Sequence, residues 1–343
     1  MEKEAFLRDR GIDRVKAAAI FCVVVIHCGY YADPVGSPDW AGALFWGALV
    51  RGAVPLFLMC SGALLLPPER KLPLRRLLTR NLPRLLISMW VWALVYKLWH
   101  LAGAGISAGG VWQAVKEVLV FDQEFHFYYI HMMLLVYLFL PVTRLFVRAA
   151  DDKTLRYALG LWFAFGILYP TLLPYWPFSL LRGFPLEYQI NMTYACVGYG
   201  LLGWYLRRHP LSRRVSAALA LAGFALTFGG TWFFSSRLGA LDERWLQGMR
   251  VPVCLMAAGG FCLLAEAGGG ARLDRLTEFL SRGSFCVYLC HLLFLYAFVR
   301  IGLTAELLPR LVSIPLLAAA VFICSLAVYA VLRRIPPVNR WLI

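Results

Sequence analysis

Residues 11–31 read GIDRVKAAAIFCVVVIHCGYY. The stretch is apolar from Ala17 onward, yet it carries Asp13, Arg14 and Lys16 near one end and His27 deep inside. A membrane span needs about 20 mostly apolar residues, each rising about 1.5 Å, and this stretch meets that length. Lys16 and His27 are eleven residues apart; at 100° per residue this is about 20° past three full turns. Both side chains therefore share one helix face, about 16 Å apart along the axis. Asp13 joins the same stripe, and the face between, Ile20 and Val23, is apolar. The pattern is a charged mouth, a greasy track and an imidazole at the far end. A charged group at the centre of a span costs about 2.5–3.5 kcal/mol on insertion scales, which makes each one a functional candidate. Asp13 and Lys16 also suit simple anchoring at the interface, and His27 a hydrogen bond to a neighbouring helix, so this stretch alone leaves both readings open.

The rest of the chain has the same character. Of 343 residues, 61% are hydrophobic and 15% charged, with mean hydropathy +0.67. Soluble domains are about half apolar and about a quarter charged. This predicts an all-α polytopic integral membrane protein, with the whole chain, 1–343, as one membrane domain. Ten spans are expected, at about 14–32, 41–66, 82–102, 127–147, 156–176, 188–206, 215–235, 251–267, 283–303 and 312–332. The charged segment 1–10 and the long first apolar run do not fit a secretory signal. With the N-terminus placed in the cytoplasm, 25 of the 34 basic residues fall on the cytoplasmic side, eight fall opposite and Arg51 lies within a span. That asymmetry predicts both termini inside and accounts for the net charge of +15 without a nucleic-acid partner. The nine cysteines form no CxxC pair and no zinc pattern, so neither a structural disulfide nor a metal site is expected. No internal repeat stands out, and the halves lack the matching broken segments of an inverted-repeat transporter. In the longest outer loop, VWQAVKEVLVF reads as a short amphipathic surface helix.

Further polar residues interrupt the spans. RGAVPLFLMCSGALLL places Arg51 just before Pro55, where an arginine needs a partner or a wet cavity. Ser61 and Gly62 in the same stretch also suit close helix packing. In RKLPLRRLLTRNLPRLL, Arg76, Arg80 and Arg84 share a face if the segment is helical, although Pro83 complicates the helix. With Arg75 they make a dense cationic mouth that suits phosphates or anionic lipid. EFHFYYIHMMLLVYLFLP brings Glu124, His126, Tyr128, Tyr129 and His131 close together near the opposite surface. SRGSFCVYLCHLLFLY buries His291 in mid-helix, three residues after Tyr288.

Together these stretches resemble the membrane-bound acyltransferase family 3. IDRVKAAAIFCVVVIH is similar to that family's first-helix signature, a basic residue, ten residues and then histidine. VPLFLMCSG resembles its second-helix pattern, FHFYYIHMMLLVYLFLP its histidine–aromatic segment ending in proline, and SRGSFCVYLCH its late serine–tyrosine–histidine segment. The resemblance runs in order from about residue 10 to about 335, and four motifs in sequence are specific where each alone is weak. It looks most like the stand-alone branch that O-acetylates enterobacterial common antigen. Lys16 stands where most members carry arginine, which removes the planar fork of a bidentate contact.

The resemblance implies an acetyl-CoA-dependent O-acetyltransferase of the bacterial cytoplasmic (inner) membrane. It would act on a carbohydrate or lipid-linked glycan acceptor, with no metal and no nucleic acid involved. On that reading Arg75, Arg76, Arg80 and Arg84 meet the CoA phosphates, and Asp13 positions Lys16. The pantetheine arm lies along the track from Lys16 to His27. His27 takes the proton of the attacking hydroxyl, or is itself acylated first. Arg51, with His126 or Tyr129, stabilises the oxyanion, and Tyr129, His131, Tyr288 and His291 contact the acceptor. Two other readings remain open. A transporter or flippase of a lipid-linked saccharide would use the same polar residues as a path. A polyprenyl-phosphate glycosyltransferase would want an outer-loop carboxylate, for which Asp33 and Asp39 are the early candidates, although both sit beside turn prolines.

Overall fold

In the computed structural model, residues 8–29, 33–70, 72–181 and 192–343 are described. They are helical, with no strand among them. The principal helices are α1 (Arg10–Gly29), α2 (Trp40–Leu49), α3 (Ala53–Leu65), α4 (Leu82–Ala104), α5 (Ala108–Leu119), α6 (Tyr128–Ala149), α7 (Asp152–Trp162), α8 (Met192–Arg208), α9 (Arg213–Leu238), α10 (Val251–Ala265), α11 (Ala271–Arg300) and α12 (Arg310–Leu332). Among the described residues, 8 helical stretches are long and apolar enough to cross a membrane. The protein is an all-α, multi-pass membrane protein.

The expected ten spans exceed this number for two local reasons. α1 is 20 residues long but carries Asp13, Arg14 and Lys16 in its first two turns. α8 has 17 residues, and residues 188–191 of its expected span lie outside those described. The expected span 41–66 is a broken pair, α2 and α3, separated by turns at Val50–Gly52. Pro55 explains the break. It has no N–H for the Arg51 carbonyl four residues earlier, and its ring collides with that carbonyl. Pro83 does not end its helix. A wide π turn at Leu77–Asn81 absorbs it and the helix runs on into α4. The amphipathic helix expected in the outer loop is α5, capped by the Ser107 hydroxyl, which accepts from the Gly110 N–H at 3.1 Å.

α1 is the central post. It packs against α11, α3, α12 and α10, and Val15, Ala19, Ile20 and Val24 are fully enclosed. Its charged end is clamped by ion pairs. Asp13 accepts from Arg8 at 2.6 and 2.8 Å and from the Ser281 hydroxyl of α11 at 2.7 Å. Arg10 and Arg14 both reach Asp274, at 2.8 and 3.2 Å. Arg207 of α8 reaches Asp9 at 2.8 Å. In contrast, α9 and α12 turn Leu221, Phe233, Leu316 and Ile323 outward, as a lipid-facing surface requires.

Candidate functional site

Two cavities meet inside the bundle. The first, about 570 Å³, is lined by Lys16 and by Arg70, Arg76, Arg80, Arg84 and Arg340. The second, about 420 Å³, is lined by His27, Arg51, His126, Tyr128, Glu243 and Gln247. Phe57, Tyr129 and Tyr288 line both, so the two cavities adjoin at these side chains. Tyr129 lies 5.4 Å from Tyr288 and 5.8 Å from Phe57, ring centroid to ring centroid. One cavity is thus cationic, the shared wall aromatic and the other cavity rich in imidazole.

The break between α2 and α3 delivers Arg51 to the imidazole end. There the rings of His27, His126 and His291 cluster: His27 lies 5.1 Å from His291 and 6.3 Å from His126, and His126 lies 5.3 Å from His291. His27 is half-buried and faces the cavity, whereas His126 and His291 are fully buried. His291 Nδ1 lies 2.8 Å from the Tyr288 carbonyl and 3.2 Å from that of Val287. Carbonyls only accept, so Nδ1 carries the proton and Nε2 is left as an acceptor. That Nε2 has no hydrogen-bond partner among the described residues, and neither ring nitrogen of His126 has one. The Tyr288 hydroxyl donates to the His126 carbonyl, tying α11 to the turn Phe125–Phe127. Among the described residues, no group of three or more His, Cys, Asp or Glu side chains is placed to hold a metal ion.

Arg76, Arg80 and Arg84 reach one cavity from four-residue spacing because the helix continues through the π turn. Four expectations need correction. His291, expected to contact the acceptor, is fully buried, lines neither cavity and packs behind His27. Arg75 is exposed and does not line the cavity. Asp13 bonds Arg8 and Ser281 and does not bridge to Lys16, so it fastens α1 to α11. His131 packs its ring 5.4 Å from Phe121, away from the cavity; it lies five residues beyond His126, on another side of the chain. The track is also redrawn. Ile20 is fully enclosed in the core, whereas Val23 lines the His27 cavity together with Phe57, Tyr129 and Tyr288.

Sequence reasoning missed Glu243 and Gln247, which fold over the imidazole end from the segment before α10. The polar run DERWLQGMR was visible as an outer loop, but nothing in it shows which span it covers. The basic wall was likewise incomplete without Arg70, Arg282 and Arg340, which join from the turn after α3, from α11 and from the short helix Pro336–Trp341.

Fold and site together define a multi-pass helical membrane protein with two adjoining polar cavities inside the bundle, one of them walled by arginines. The chain belongs to acyltransferase family 3: the family's profile, described as an acyltransferase domain, matches residues 9–330. It is accordingly a membrane acyltransferase. No curated protein and no solved structure matches the chain.

Proposed function

We propose that this protein transfers an acyl group, in the first instance acetyl, from acetyl-CoA to a hydroxyl of a cell-surface carbohydrate or lipid-linked sugar. The observation that carries this reading is an arginine-lined cavity set against an imidazole-lined cavity, with Phe57, Tyr129 and Tyr288 common to the walls of both. Arg76, Arg80, Arg84 and Lys16 suit the phosphates of the donor, which guanidinium groups hold through paired N–H bonds. The shared wall of Phe57, Tyr129 and Tyr288 suits a thin, uncharged arm. The arginine end then faces the cytoplasm, both termini lie inside, and the membrane is the bacterial inner membrane, with 1–343 as one domain. The resemblance to the branch that acts on enterobacterial common antigen points to a glycan on the opposite side.

In the reaction, His27 takes the acceptor hydroxyl proton as the oxygen attacks the thioester carbonyl. The C–S bond breaks, and the proton passes to the departing thiolate. Such a base is worth about 10²–10⁴-fold. The Nε2 acceptor of His291 is suited to orient the His27 ring, and Arg51 with His126 supplies donors to the developing oxyanion.

The test is release of free thiol from acetyl-CoA by purified protein in nanodiscs with sugar acceptors. Wild type should release thiol and His27→Ala should not. Absence of both release and acetyl-CoA binding by calorimetry would move the assignment to transport of a lipid-linked saccharide.

A further inference from the structure

A third cavity, about 440 Å³, lies beside the arginine-lined one. Arg84, Arg282, Arg333, Arg334, Asn339 and Tyr329 line it. Arg84, Arg282 and Asn339 also belong to the wall of the first cavity, whereas Arg333 and Arg334 do not. Arg282, Arg333 and Arg334 are exposed, so an anion reaches this cavity from the surface without crossing the first.

One side of the cavity is fixed. The Ser88 hydroxyl and the Trp92 indole of α4 donate to the Leu342 carbonyl at 2.8 and 3.3 Å, and the Arg84 guanidinium donates to the Ile343 carbonyl. Arg84 keeps a buried Nε with no hydrogen-bond partner among the described residues. A buried donor on a charged group is costly to leave unpaired, so an acceptor suits this place.

The neighbouring cations are also uncommitted. Arg333 stacks on Phe279 and Tyr329, 5.2 and 5.8 Å from their ring centroids, and a guanidinium stacked by its face keeps its N–H edges for an anion. Arg282 pairs with Glu278 at 2.5 Å, but Arg333 and Arg334 have no ion pair among the described residues. By contrast, Arg10, Arg14 and Arg207 beside the start of α1 each hold a carboxylate. Basic residues at helix ends are ordinary in a membrane protein. Their convergence on one cavity that no carboxylate lines is not.

We propose that this cavity is a second phosphate site, in which Arg84, Arg333 and Arg334 hold one phosphate group through several N–H bonds at once. Two sources carry that chemistry. One is the 3′-phosphate of the acyl donor, which stands apart from the donor's diphosphate; this source rests on the acyl-transfer reading above. The other is the headgroup of an anionic lipid. The probes are acetyl-CoA and acetyl-3′-dephospho-CoA, titrated by calorimetry in phosphatidylcholine nanodiscs, and thermal melts with and without added phosphatidylglycerol. Each is run on wild type, on the double variant Arg333→Gln, Arg334→Gln and on the double variant Arg333→Lys, Arg334→Lys. If the phosphate is the donor's, acetyl-CoA should bind wild type about tenfold more tightly than its dephospho form, a difference of about 1.4 kcal/mol. The glutamines should bring that ratio towards one, and the lysines should keep part of it. If the phosphate is a lipid's, the two donors should bind alike, and phosphatidylglycerol should raise the melting temperature of wild type but not of the glutamine variant. Neither effect in wild type, or an effect that the glutamines leave intact, overturns the site. Absence of any acetyl-CoA binding to wild type is failure of the acyl-transfer reading, and the lipid melts then decide the site alone.

Discussion

Arg51 shows how one residue joins sequence to chemistry. Pro55 breaks the span, the break turns Arg51 into the His27 chamber, and a guanidinium there can steady negative charge. Arg51→Ala should lower kcat about 10²–10³-fold, the usual effect of removing one oxyanion donor. Arg51→Lys should recover part of this, since the charge remains but the planar fork is lost. Steady-state kinetics on the two variants checks both. Asp9 makes a different kind of contribution. Burial pushes its carboxyl up, but the Arg207 guanidinium and the Ile12 N–H outweigh burial and hold it below the ordinary 3.8. A carboxyl lowered on folding stabilises above its unfolded value, and the contribution is lost as pH falls through the folded value. Asp9→Asn should therefore melt earlier than wild type by a constant margin between about pH 6 and 8, with the gap closing below about pH 4. Thermal melts across that range check it. His27 was legible as a site residue because an imidazole inside an apolar span is costly. Asp13 was misread because Arg8 takes its carboxylate from one side and Ser281, 268 residues away, from the other, and no local pattern names the distant contact.

At the scale of elements, α3 and α8 touch backbone to backbone. A Cβ on Gly62 would meet the Gly200 carbonyl oxygen at 1.8 Å, whereas one on Gly200 would find its nearest atom, Gly62 Cα, at 3.8 Å. Gly62→Ala should thus force the helices apart and cost about 1–3 kcal/mol, while Gly200→Ala should be close to neutral. Thermal melts of the two variants in one detergent separate them. If both melt alike, the close approach is not what holds this pair. The spans themselves were legible from runs of apolar residues, since a lipid-facing helix must satisfy every backbone group internally. Their breaks were less so. Pro55 breaks a helix and Pro83 does not, because a π turn at Leu77–Asn81 accommodates the second and only the surrounding packing selects between these outcomes.

For the whole molecule, the two adjoining cavities are unlike in charge. Several arginines line the 570 Å³ cavity, so donor binding should weaken as salt rises from about 0.1 to about 1 M, where the screening length falls from about 10 to about 3 Å. Arg80→Gln should raise the Kd for acetyl-CoA about tenfold or more, in line with the loss of about 1.5 kcal/mol for a hydrogen bond to a charged group, with kcat less affected. Calorimetry at two salt concentrations checks both. The amino-acid sequence by itself determined that the chain is a helical membrane protein and that His27, Arg51, His126, Tyr288 and His291 are polar groups in apolar surroundings. Each follows from local cost: burying a charge or an unpaired backbone group in lipid is expensive wherever it occurs. Only the tertiary structure decided that the three imidazole rings cluster with His27 and His126 on the chamber and His291 buried behind them, that Tyr129 and Tyr288 line both cavities, that Arg75 and His131 stand aside, and that Glu243 and Gln247 line the His27 cavity. Those outcomes depend on which helix faces pack together, and contacts between residues far apart in the chain are set by the packing of the whole bundle.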